Sequence, residues 1–535
     1  MARHARHTHP DAFASEEDFN AQLYGALRQS PWWMVSIALH VFAFVILAMF
    51  NTSETVAQET RTITMSPGEP DEAPDEIEKT QEQTKEVNET DLVVKEPLLV
   101  DDPVLDKPQT ENDLDSADVF GEDEGFSDAH LGGPSKNGTV GIGGDAGGSP
   151  FGPGGRLPGG GGGGSPSTFH DALDAALRWL AAHQSPDGGW EAAGFHRWCD
   201  GRPVTDPARM PDGLGGANND PGVTGLALCA FLGAGYTNRG KHPFNKVVSK
   251  GLRYLKNIQD PEGCFGPRNS QQYIYNHAIA ALAMVEAFGM TGSPIWKGAA
   301  QRGLDFIALA RNPYFVWRYG VKPGDNDTSV TGWMMMALKS AALINKDAVR
   351  RGRKAPLTYD EGSFDGIRAW LDKMTDPDYG RVGYVQRGTG PARPQALIDR
   401  FPGDKSESMT AVGVLARVFI GEDPRKSAAV KNGAALCAKL PPTWNTTDGS
   451  IDMYYWYYGT LAMFQVGGAP WKTWRTAMDK AMVQSQRQDT DACLYKGSWD
   501  PIGPWGADGG RVYSTALMAM CLEVYFRYPK VFGGR

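Results

Sequence analysis

Acidic side chains recur just before apolar helices in this chain, and they are the first candidates for chemistry. Asp325 and Asp327 lie in the stretch GDNDTSVTGW, and Asp452 precedes MYYWYYG. A carboxylate beside an aromatic cavity can act as a general acid or base, or bind a cation. A carboxylate at a helix N-terminus can also simply cap the helix, because it accepts free backbone N–H groups and complements the helix dipole. We therefore treat Asp327, Asp325 and Asp452 as candidate catalytic residues, with capping as the alternative for each.

Aromatic residues near these carboxylates are candidates for lining a ligand cavity. Five aromatics run from Tyr454 to Tyr458, and core packing is the alternative interpretation, because consecutive residues of one helix cannot all face one cavity. The single histidine of this set, His277, is of a kind that is more often a hydrogen-bonded core residue than a catalyst. The candidate cavity residues are Tyr275, His277, Trp333, Glu407, Tyr454, Trp456 and Tyr458.

These residues occupy related positions because one two-helix unit is repeated six times after residue 166. Each unit has an amphipathic helix, a turn, and a second helix that is apolar on every side and must therefore be buried. The second helices contain VTGLALCAFLGAG, NHAIAALAMVEAFG, VTGWMMMALKSA, MTAVGVLARVFIG, YYGTLAMFQVGG and STALMAMCLEVYF. They align on Thr224, His277, Thr331, Thr410, Tyr458 and Thr515, in steps of 48 to 79 residues.

Six such units predict an all-α ring with amphipathic helices outside and apolar helices inside. The last copy is as apolar as the middle copies, whereas an open array would end in a polar capping repeat. The inner helices of a ring run in the same direction, so their N-termini meet at one mouth. The residues expected at this rim are Asp220, Asn276, Asp325, Asp327, Glu407, Asp452 and Ser514.

The turns after the outer helices resemble those of a known superfamily. QSPDGGW from Gln184, NIQDPEGCFG from Asn257 and QRQDTDACLYKGSW from Gln486 are similar to the Gln/Gly/Trp turns of terpenoid cyclases and protein prenyltransferases. The resemblance covers roughly residues 168 to 530. It implies the fold of that superfamily, an α6/α6 toroid of six helix pairs, but a shared fold does not imply a shared function.

The stretch Gly324 to Trp333 resembles the DxDDTA segment of class II terpene cyclases, whose middle Asp protonates an alkene or an epoxide. Aligning Asp327 and Thr328 on the final Asp-Thr of that segment puts Asn326 at the acid position. An amide has no acidic proton to donate. The resemblance therefore implies the cyclase fold without the cyclase acid.

The β subunits of protein prenyltransferases hold zinc with an Asp, a Cys two residues later and a more distant His. Here Asp452 is followed by Tyr454, and the later helix start carries Ser514 and Thr515 where the His is needed. These positions cannot form a tetrahedral zinc site without a thiolate and an imidazole. The sequence predicts neither a metal nor another cofactor.

The six cysteines divide into two groups by context. Cys229, Cys437 and Cys521 lie in apolar helical runs and are expected to be small core residues. The others, Cys199, Cys264 and Cys493, lie in turns. Two of them could form a disulfide if the compartment is oxidising.

A stretch of 19 residues without a formal charge apart from His40, residues 32–50, predicts a membrane anchor. As a helix it spans about 28 Å of hydrocarbon. A cleaved signal peptide and a buried core helix are the alternatives. Arg3, Arg6 and Arg28 precede the stretch and only Arg61 closely follows it, which favours a cytoplasmic tail over residues 1–31. The repeat region, residues 166–535, is then extracytoplasmic, and periplasmic if the source is bacterial.

Residues 51–165 predict a disordered linker that is first acidic and then Gly-rich. Residues 51–130 contain 24 acidic and 5 basic residues, whereas the repeat region contains 34 acidic and 43 basic residues. Within the linker, Asp91–Leu105 (DLVVKEPLLVDDPVL) has aliphatic patches that suit either a docking motif or ordinary disorder. The basic residues of the repeat region form no Lys/Arg run, so binding to nucleic acid is not predicted.

Two functions fit these observations. The first is a membrane-tethered toroid that binds an envelope ligand or partner, which is an isoprenoid, a glycan or a protein, without cyclase or zinc prenyltransferase chemistry. The second is an enzyme that acts on an isoprenoid or a glycan with a rim Asp as general acid. The absence of the cyclase acid and of the zinc ligands from the sequence favours the first.

Overall fold

The computed structural model describes residues 166–204, 212–489 and 493–527, and twelve α-helices dominate this part of the chain. The outer helices are α1 (Pro166–Ala182), α3 (Asn245–Asn257), α5 (Pro294–Ala310), α7 (Gly362–Met374), α9 (Ala428–Lys439) and α11 (Gly468–Met478). The inner helices are α2 (Asp220–Gly233), α4 (Tyr273–Thr291), α6 (Thr328–Arg350), α8 (Ser408–Phe419), α10 (Met453–Val466) and α12 (Gly506–Arg527). A kink at Gly510 divides α12, so its inner part begins at Arg511.

The inner helices form a closed ring. Each packs against the next inner helix along the chain, and α12 returns to pack against α2. Every residue of α2 from Pro221 to Gly233 is buried, as expected for a helix that is apolar on all sides. The predicted ring of six helix pairs is therefore present in the described residues.

The outer helices bury only one stripe each. On α1 the residues Leu173, Leu177 and Leu180 are fully buried, while Arg178 on the opposite face is exposed. On α3 the corresponding stripe consists of Val248, Leu252 and Leu255. These are the stripes that the sequence predicts, and they attach each outer helix to the inner ring.

The Gln-containing turns connect neighbouring units. The side-chain amide of Gln184 donates to the carbonyl of Gly188 in its own turn and to that of Val247 in α3, both at 2.8 Å. Gln259 bonds in the same way to Gly263 and to Ala299 of α5. Gln486 repeats the arrangement with Gly497 and Ala172 of α1, which links the last unit to the first.

Glycine is required at one position of these turns. Gly188, Gly263 and Gly497 have φ values of 97°, 97° and 91°, a region that side chains disfavour. A Cβ at any of them would also collide with a backbone carbonyl of the next outer helix. With glycine at this position, the turn and the next outer helix lie close enough for the glutamine side-chain amide to bond to both.

A short irregular segment precedes α2 and carries a disulfide. The two-residue strands β1 (Trp198–Cys199) and β2 (Arg202–Pro203) pair antiparallel. Cys199 bonds to Cys493, 294 residues later, with the Cα atoms 6.0 Å apart. This bond joins the first unit to the last, while Cys264, the third turn cysteine, is free and buried.

No helix among the described residues is long and apolar enough to span a membrane. The predicted tail, anchor and linker, residues 1–165, lie outside the described residues. Their assignment stays a prediction from the sequence.

Removing the disulfide should destabilise the ring, because Cys199–Cys493 closes a very long loop between the first and last units. We expect the double variant Cys199→Ser/Cys493→Ser to lose about 3 kcal/mol of unfolding free energy. Denaturant unfolding of the wild type and the variant, each with and without reductant, measures this. Reductant should destabilise only the wild type. An equal effect of reductant on both proteins would show that the bond does not stabilise the ring.

Candidate functional site

A cavity of about 310 Å³ opens at the mouth of the ring, where the inner helices begin. Every inner helix contributes residues from its first turns, and the loops that precede these helices complete the wall. Its aromatic residues are Tyr275, Tyr319, Trp333, Tyr384, Tyr454, Trp505 and Tyr513. Its polar and charged residues are Asn219, Gln271, Gln272, Asn276, Arg318, Ser329, Arg393, Ser408 and Asp508.

Below this cavity, aromatic side chains fill the interior of the ring. Trp333 stacks on Tyr457, with the ring centroids 5.4 Å apart and the planes inclined by 14°. Tyr458 meets the same indole edge to face. Tyr457 and Tyr458 are fully buried. These three rings therefore pack directly beneath the cavity.

Asp327 is a helix cap that also faces the cavity wall. Its Oδ1 accepts the N–H of Val330 at 2.7 Å, which caps α6. Its Oδ2 accepts a hydrogen bond from the Tyr384 hydroxyl at 3.4 Å and lies 3.9 Å from Nε of Arg318. Complete burial raises the pKa of Asp327 to about 7, although the Val330 N–H and the Arg318 charge act in the opposite direction. The carboxyl is therefore partly protonated near neutral pH.

Tyrosine hydroxyls connect Asp327 with the cavity. The hydroxyls of Tyr384 and Tyr319 are 2.5 Å apart, and both residues line the cavity. The guanidinium of Arg318 lies over both rings, 5.3 Å from the centroid of Tyr319 and 5.8 Å from that of Tyr384. Asp327 itself lies one layer behind the wall, so it reaches a ligand only through the wall residues that it approaches, Tyr384 and Arg318.

Asn326, at the position of the cyclase acid, has a structural role. Its Oδ1 accepts the backbone N–H of Val316 and the side-chain amide of Asn312, both at 3.1 Å. Asp325 pairs with Arg318 at 2.6 Å, and its side chain is 48% exposed. Neither residue belongs to the cavity lining. The segment that resembles the cyclase motif therefore organises a loop.

Asp452 is a cap and also half of a buried ion pair. Its Oδ1 accepts the N–H of Tyr455 at 3.1 Å, and its Oδ2 accepts from Ser406 Oγ at 2.8 Å. Arg393 donates to the same Oδ2 at 2.8 Å, and the side chains of the pair are only 4% and 1% exposed. From the sequence, the alternative role of Asp452 was capping alone. The structure shows that it caps α10 and also pairs with Arg393. The ion pair fixes Arg393, which lines the cavity.

His277 lies in the core and not in the cavity wall. Its Nδ1 accepts the backbone N–H of Phe265 at 3.2 Å, and its ring packs against Phe265 and Phe306. Burial lowers the pKa of His277 to about 3. Thr224 and Thr410, at the aligned positions of other units, accept the N–H groups of Trp190 and Val382 in the same way. His277 therefore replaces a threonine that anchors the preceding turn.

The structure brings only some of the other sequence candidates to the cavity. Tyr275, Trp333 and Tyr454 line it. Trp456 packs near Trp444, and Tyr458 lies in the filled interior. Glu407 accepts from Arg381 and from Thr410, away from the lining. Tyr454, at the position of the zinc-binding Cys of the prenyltransferases, bonds to Ser329. The described residues contain no group of His, Cys, Asp and Glu side chains that could hold a metal ion.

Sequence reasoning missed the loop residues of the wall. Arg318, Tyr319, Tyr384, Arg393 and Trp505 come from segments before inner helices, where no helical periodicity marks them. The one available signal was the length of the connection from α7 to α8, residues 375–407, since long ordered loops are often functional.

Part of this chain is similar in sequence to known proteins. Residues 165–370 match the family described as squalene-hopene cyclase C-terminal domain. The squalene–hopene cyclases of Bradyrhizobium diazoefficiens and Alicyclobacillus acidocaldarius are 26% and 28% identical to the chain over 197 and 198 residues. Residues 165–370 are therefore similar to part of the squalene–hopene cyclases. The chain spans only 28% of the length of these two cyclases.

Solved structures of related shape include a terpene cyclase and a glycosidase. The type II terpene cyclase MstE from Scytonema aligns with 67% of this chain and 97% of its own, at 12% identity and a TM-score of 0.41. An α-1,6-mannanase of Salegentibacter sp. aligns with 67% of this chain and 99% of its own, at 10% identity and a TM-score of 0.43.

Asp452→Asn and Asp327→Asn should affect the stability of the protein differently. Asp452→Asn leaves the buried Arg393 without its counter-charge, and we expect a loss of about 3 kcal/mol or more. Asp327→Asn keeps the cap, because Asn caps as well as Asp, and removes a buried charge, so we expect an unchanged or higher melting temperature at pH 8. Thermal unfolding of the two matched variants measures the difference. Similar melting temperatures would contradict the assigned roles.

The raised pKa of Asp327 predicts a pH dependence of stability. The folded state binds a proton that the unfolded state, with a pKa near 3.8, releases, so this contribution to stability falls as the pH rises from about 4 to 7. Asp220, whose pKa burial raises to about 6, acts in the same direction in every variant. We expect the stability of Asp327→Asn to fall less than that of the wild type between pH 5 and pH 8. Parallel stability curves would contradict the assignment.

Proposed function

We propose that this chain is a membrane-tethered toroid that binds a polar ligand at its mouth and lacks the cyclase and zinc prenyltransferase chemistry of its superfamily. The ligand has an apolar face and several hydrogen-bonding groups, as a sugar or a peptide side chain has. Residues 32–50 form the anchor, and the toroid lies outside the cytoplasm.

The observation that carries this proposal is the role of Asn326. The alignment puts this residue where class II cyclases have their acid, and its oxygen accepts two N–H groups of the surrounding loop. An amide in that arrangement cannot deliver a proton to an alkene. Its bonds also make it part of the loop architecture, so the acid has been exchanged for a structural residue.

The shape and polarity of the cavity support a polar ligand over a long isoprenoid. Its volume of about 310 Å³ is at the lower end of the range for ligand pockets. The ring interior beneath it, which a long apolar chain would need, is filled by Trp333, Tyr457 and Tyr458. The wall combines aromatic faces with amides, as in sites that orient a ligand with a few polar contacts.

The disulfide supports the extracytoplasmic assignment. Disulfides persist in oxidising compartments and are rare in the cytosol. The bond between Cys199 and Cys493 suits the orientation that Arg3, Arg6 and Arg28 favour. Both lines of support agree with an anchor whose N-terminal side is cytoplasmic.

One observation favours a second candidate function, acid catalysis on a glycan or an isoprenoid. Asp327 has a pKa near neutrality and contacts the hydroxyl of Tyr384 in the cavity wall. Asp327 can donate its proton to the Tyr384 oxygen while that hydroxyl donates to the ligand, and water then restores the proton. In this candidate Tyr384 is the catalytic residue, and Asp327 acts through it.

Ligand retention by the purified full chain tests the proposal. We expect a small polar compound to be released on denaturation of the wild type and of Tyr314→Ala, whose aromatic ring lies outside the cavity, and to be lost from Trp505→Ala. Mass spectrometry of the released material measures this. Equal retention by all three proteins, or by none, would contradict binding at the mouth.

Incubation with squalene and with envelope glycans separates binding from turnover. We expect no cyclised or cleaved product from the wild type. A product that disappears in both Asp327→Asn and Tyr384→Phe, with stability intact, would replace the proposal by the second candidate.

A further inference from the structure

A short series of hydrogen bonds leads from a fully buried carboxyl to the wall of the cavity. Asp327 has no exposed surface, and the hydroxyl of Tyr384 donates to its Oδ2 at 3.4 Å. The hydroxyl of Tyr384 lies in turn 2.5 Å from that of Tyr319. Both tyrosines line the cavity, whereas Asp327 does not. We call these three side chains the Asp327 relay, which has one end in the core and the other in the mouth.

The backbone at the start of α6 holds the members of the relay in place. The N–H of Asp327 donates at 2.9 Å to the carbonyl of Trp317, which lies two residues before Tyr319. The N–H of Thr328 donates at 3.1 Å to the carbonyl of Tyr384. The two loops that carry the tyrosines are therefore bound to the same turn of backbone that carries the carboxyl. The spacing of the relay does not depend on a bound ligand.

A count of hydrogens shows what the ionised relay offers to a ligand. When Asp327 is ionised, the relay contains two hydrogens, one on each tyrosine oxygen. A carboxylate only accepts, so Tyr384 donates to Asp327 and Tyr319 donates to Tyr384. Both hydrogens are then used inside the relay, and toward the cavity it offers only lone pairs.

Protonation of Asp327 adds a third hydrogen to the same two bonds. A buried O–H without an acceptor costs free energy, so the acid donates to the Tyr384 oxygen. One hydroxyl hydrogen, on Tyr319 or Tyr384, is then left to point into the cavity. The ring of Tyr275 lies 6.0 Å from that of Tyr319, and including its hydroxyl adds one hydrogen and one bond, which leaves the count unchanged. The mouth therefore gains one donor when Asp327 gains a proton.

Asp327 is the member of the relay that titrates near neutral pH. Burial raises its pKa to about 7. Burial also raises the pKa of Tyr319 to about 12 and that of Tyr384 well above its usual value, so both tyrosines keep their hydrogens. The charge of Arg318 favours the ionised form of Asp327. Asp325, a like charge, pairs with Arg318 and weakens this effect.

The other inner helices bring no further group that titrates in this range to the relay within the described residues. Tyr275 of α4 and Tyr454 of α10 sense the charge of Asp327, and burial raises the pKa of each far above neutrality. Glu407 and Asp452, at the starts of α8 and α10, are each paired with an arginine. The number of hydrogens in the relay therefore changes at Asp327.

We propose that Asp327 is a positioning residue whose protonation sets whether the tyrosine hydroxyls of the mouth donate to a ligand or only accept from it. Below neutral pH the mouth favours a ligand with an additional acceptor, such as a carbonyl or ether oxygen. Above neutral pH it favours one with an additional O–H or N–H donor. The inference rests on the ligand binding proposed above. It differs from acid catalysis, because no bond of the ligand breaks and the proton stays in the relay.

Tyrosine labelled with carbon-13 at Cζ, incorporated into the full chain, tests the proposal without a ligand. The Cζ chemical shift responds to the hydrogen bonding of the hydroxyl. We expect the resonances of Tyr319 and Tyr384, assigned with Tyr319→Phe and Tyr384→Phe, to titrate between pH 5 and pH 8 with one midpoint near the Asp327 pKa of about 7. The infrared C=O band of the protonated Asp327 carboxyl, identified by its loss in Asp327→Asn, should have the same midpoint.

Asp327→Asn is the matched variant, because its amide supplies a permanent N–H to Tyr384 while its oxygen keeps the cap. The Tyr319 resonance of this variant should not titrate, and at pH 8 it should have the shift that the wild type shows at pH 5. Tyr384→Phe interrupts the relay, so Tyr319 should not titrate although Asp327 still does. Tyr314→Phe, which removes an exposed hydroxyl outside the cavity, should leave the titration of Tyr319 unchanged.

Three results would overturn the proposal. They are a Tyr319 resonance that stays constant from pH 5 to pH 8, one that titrates equally in Asp327→Asn, and an Asp327 band whose midpoint lies outside this range. Ligand retention is measured separately. A constant Tyr319 in a protein that retains its ligand would contradict this inference alone, and a titrating relay without a retained ligand would contradict the binding proposed for the mouth.

Discussion

One hydrogen-bonding device, a glutamine amide with both N–H groups engaged, connects units of the toroid. In Gln184, Gln259 and Gln486 one N–H holds the turn and the other holds the next outer helix. In the third unit an arginine holds the turn. Arg311 donates to the carbonyl of Phe315, as Gln184 donates to the carbonyl of Gly188. Because Gln486 reaches α1, the same device closes the ring that the disulfide also crosses.

Ring closure explains where the chemistry-bearing residues lie. Once every unit has the same orientation, the N-termini of all inner helices meet at one mouth, together with the loops that precede them. Carboxylates collect there because free N–H groups need acceptors. This is why Asp327 and Asp452 are caps whatever else they do. Their second oxygens then acquire different partners, a tyrosine hydroxyl for Asp327 and an arginine for Asp452.

The sequence was sufficient to predict the helix pairs, because the buried stripes have helical spacing and the inner helices are apolar throughout. It also placed Tyr275, Trp333 and Tyr454 near the mouth, since they lie in the first turns of inner helices. It could not assign Trp456 and Tyr458, because helix rotation decides which of five consecutive aromatics faces the cavity. The role of His277 was accessible from the alignment with Thr224 and Thr410. The loop residues Tyr384 and Arg393 were not, because their positions depend on tertiary contacts.

Our central claim is that the ligand binds in the mouth cavity, above a filled ring interior. The most direct measurement is an experimental structure of the full chain purified with its ligand retained. The account predicts ligand density against Tyr275 and Trp505, with Trp333, Tyr457 and Tyr458 packed beneath it. Density extending into the ring interior between these aromatic residues, with Asn326 or Asp327 in contact with the ligand, would contradict the account.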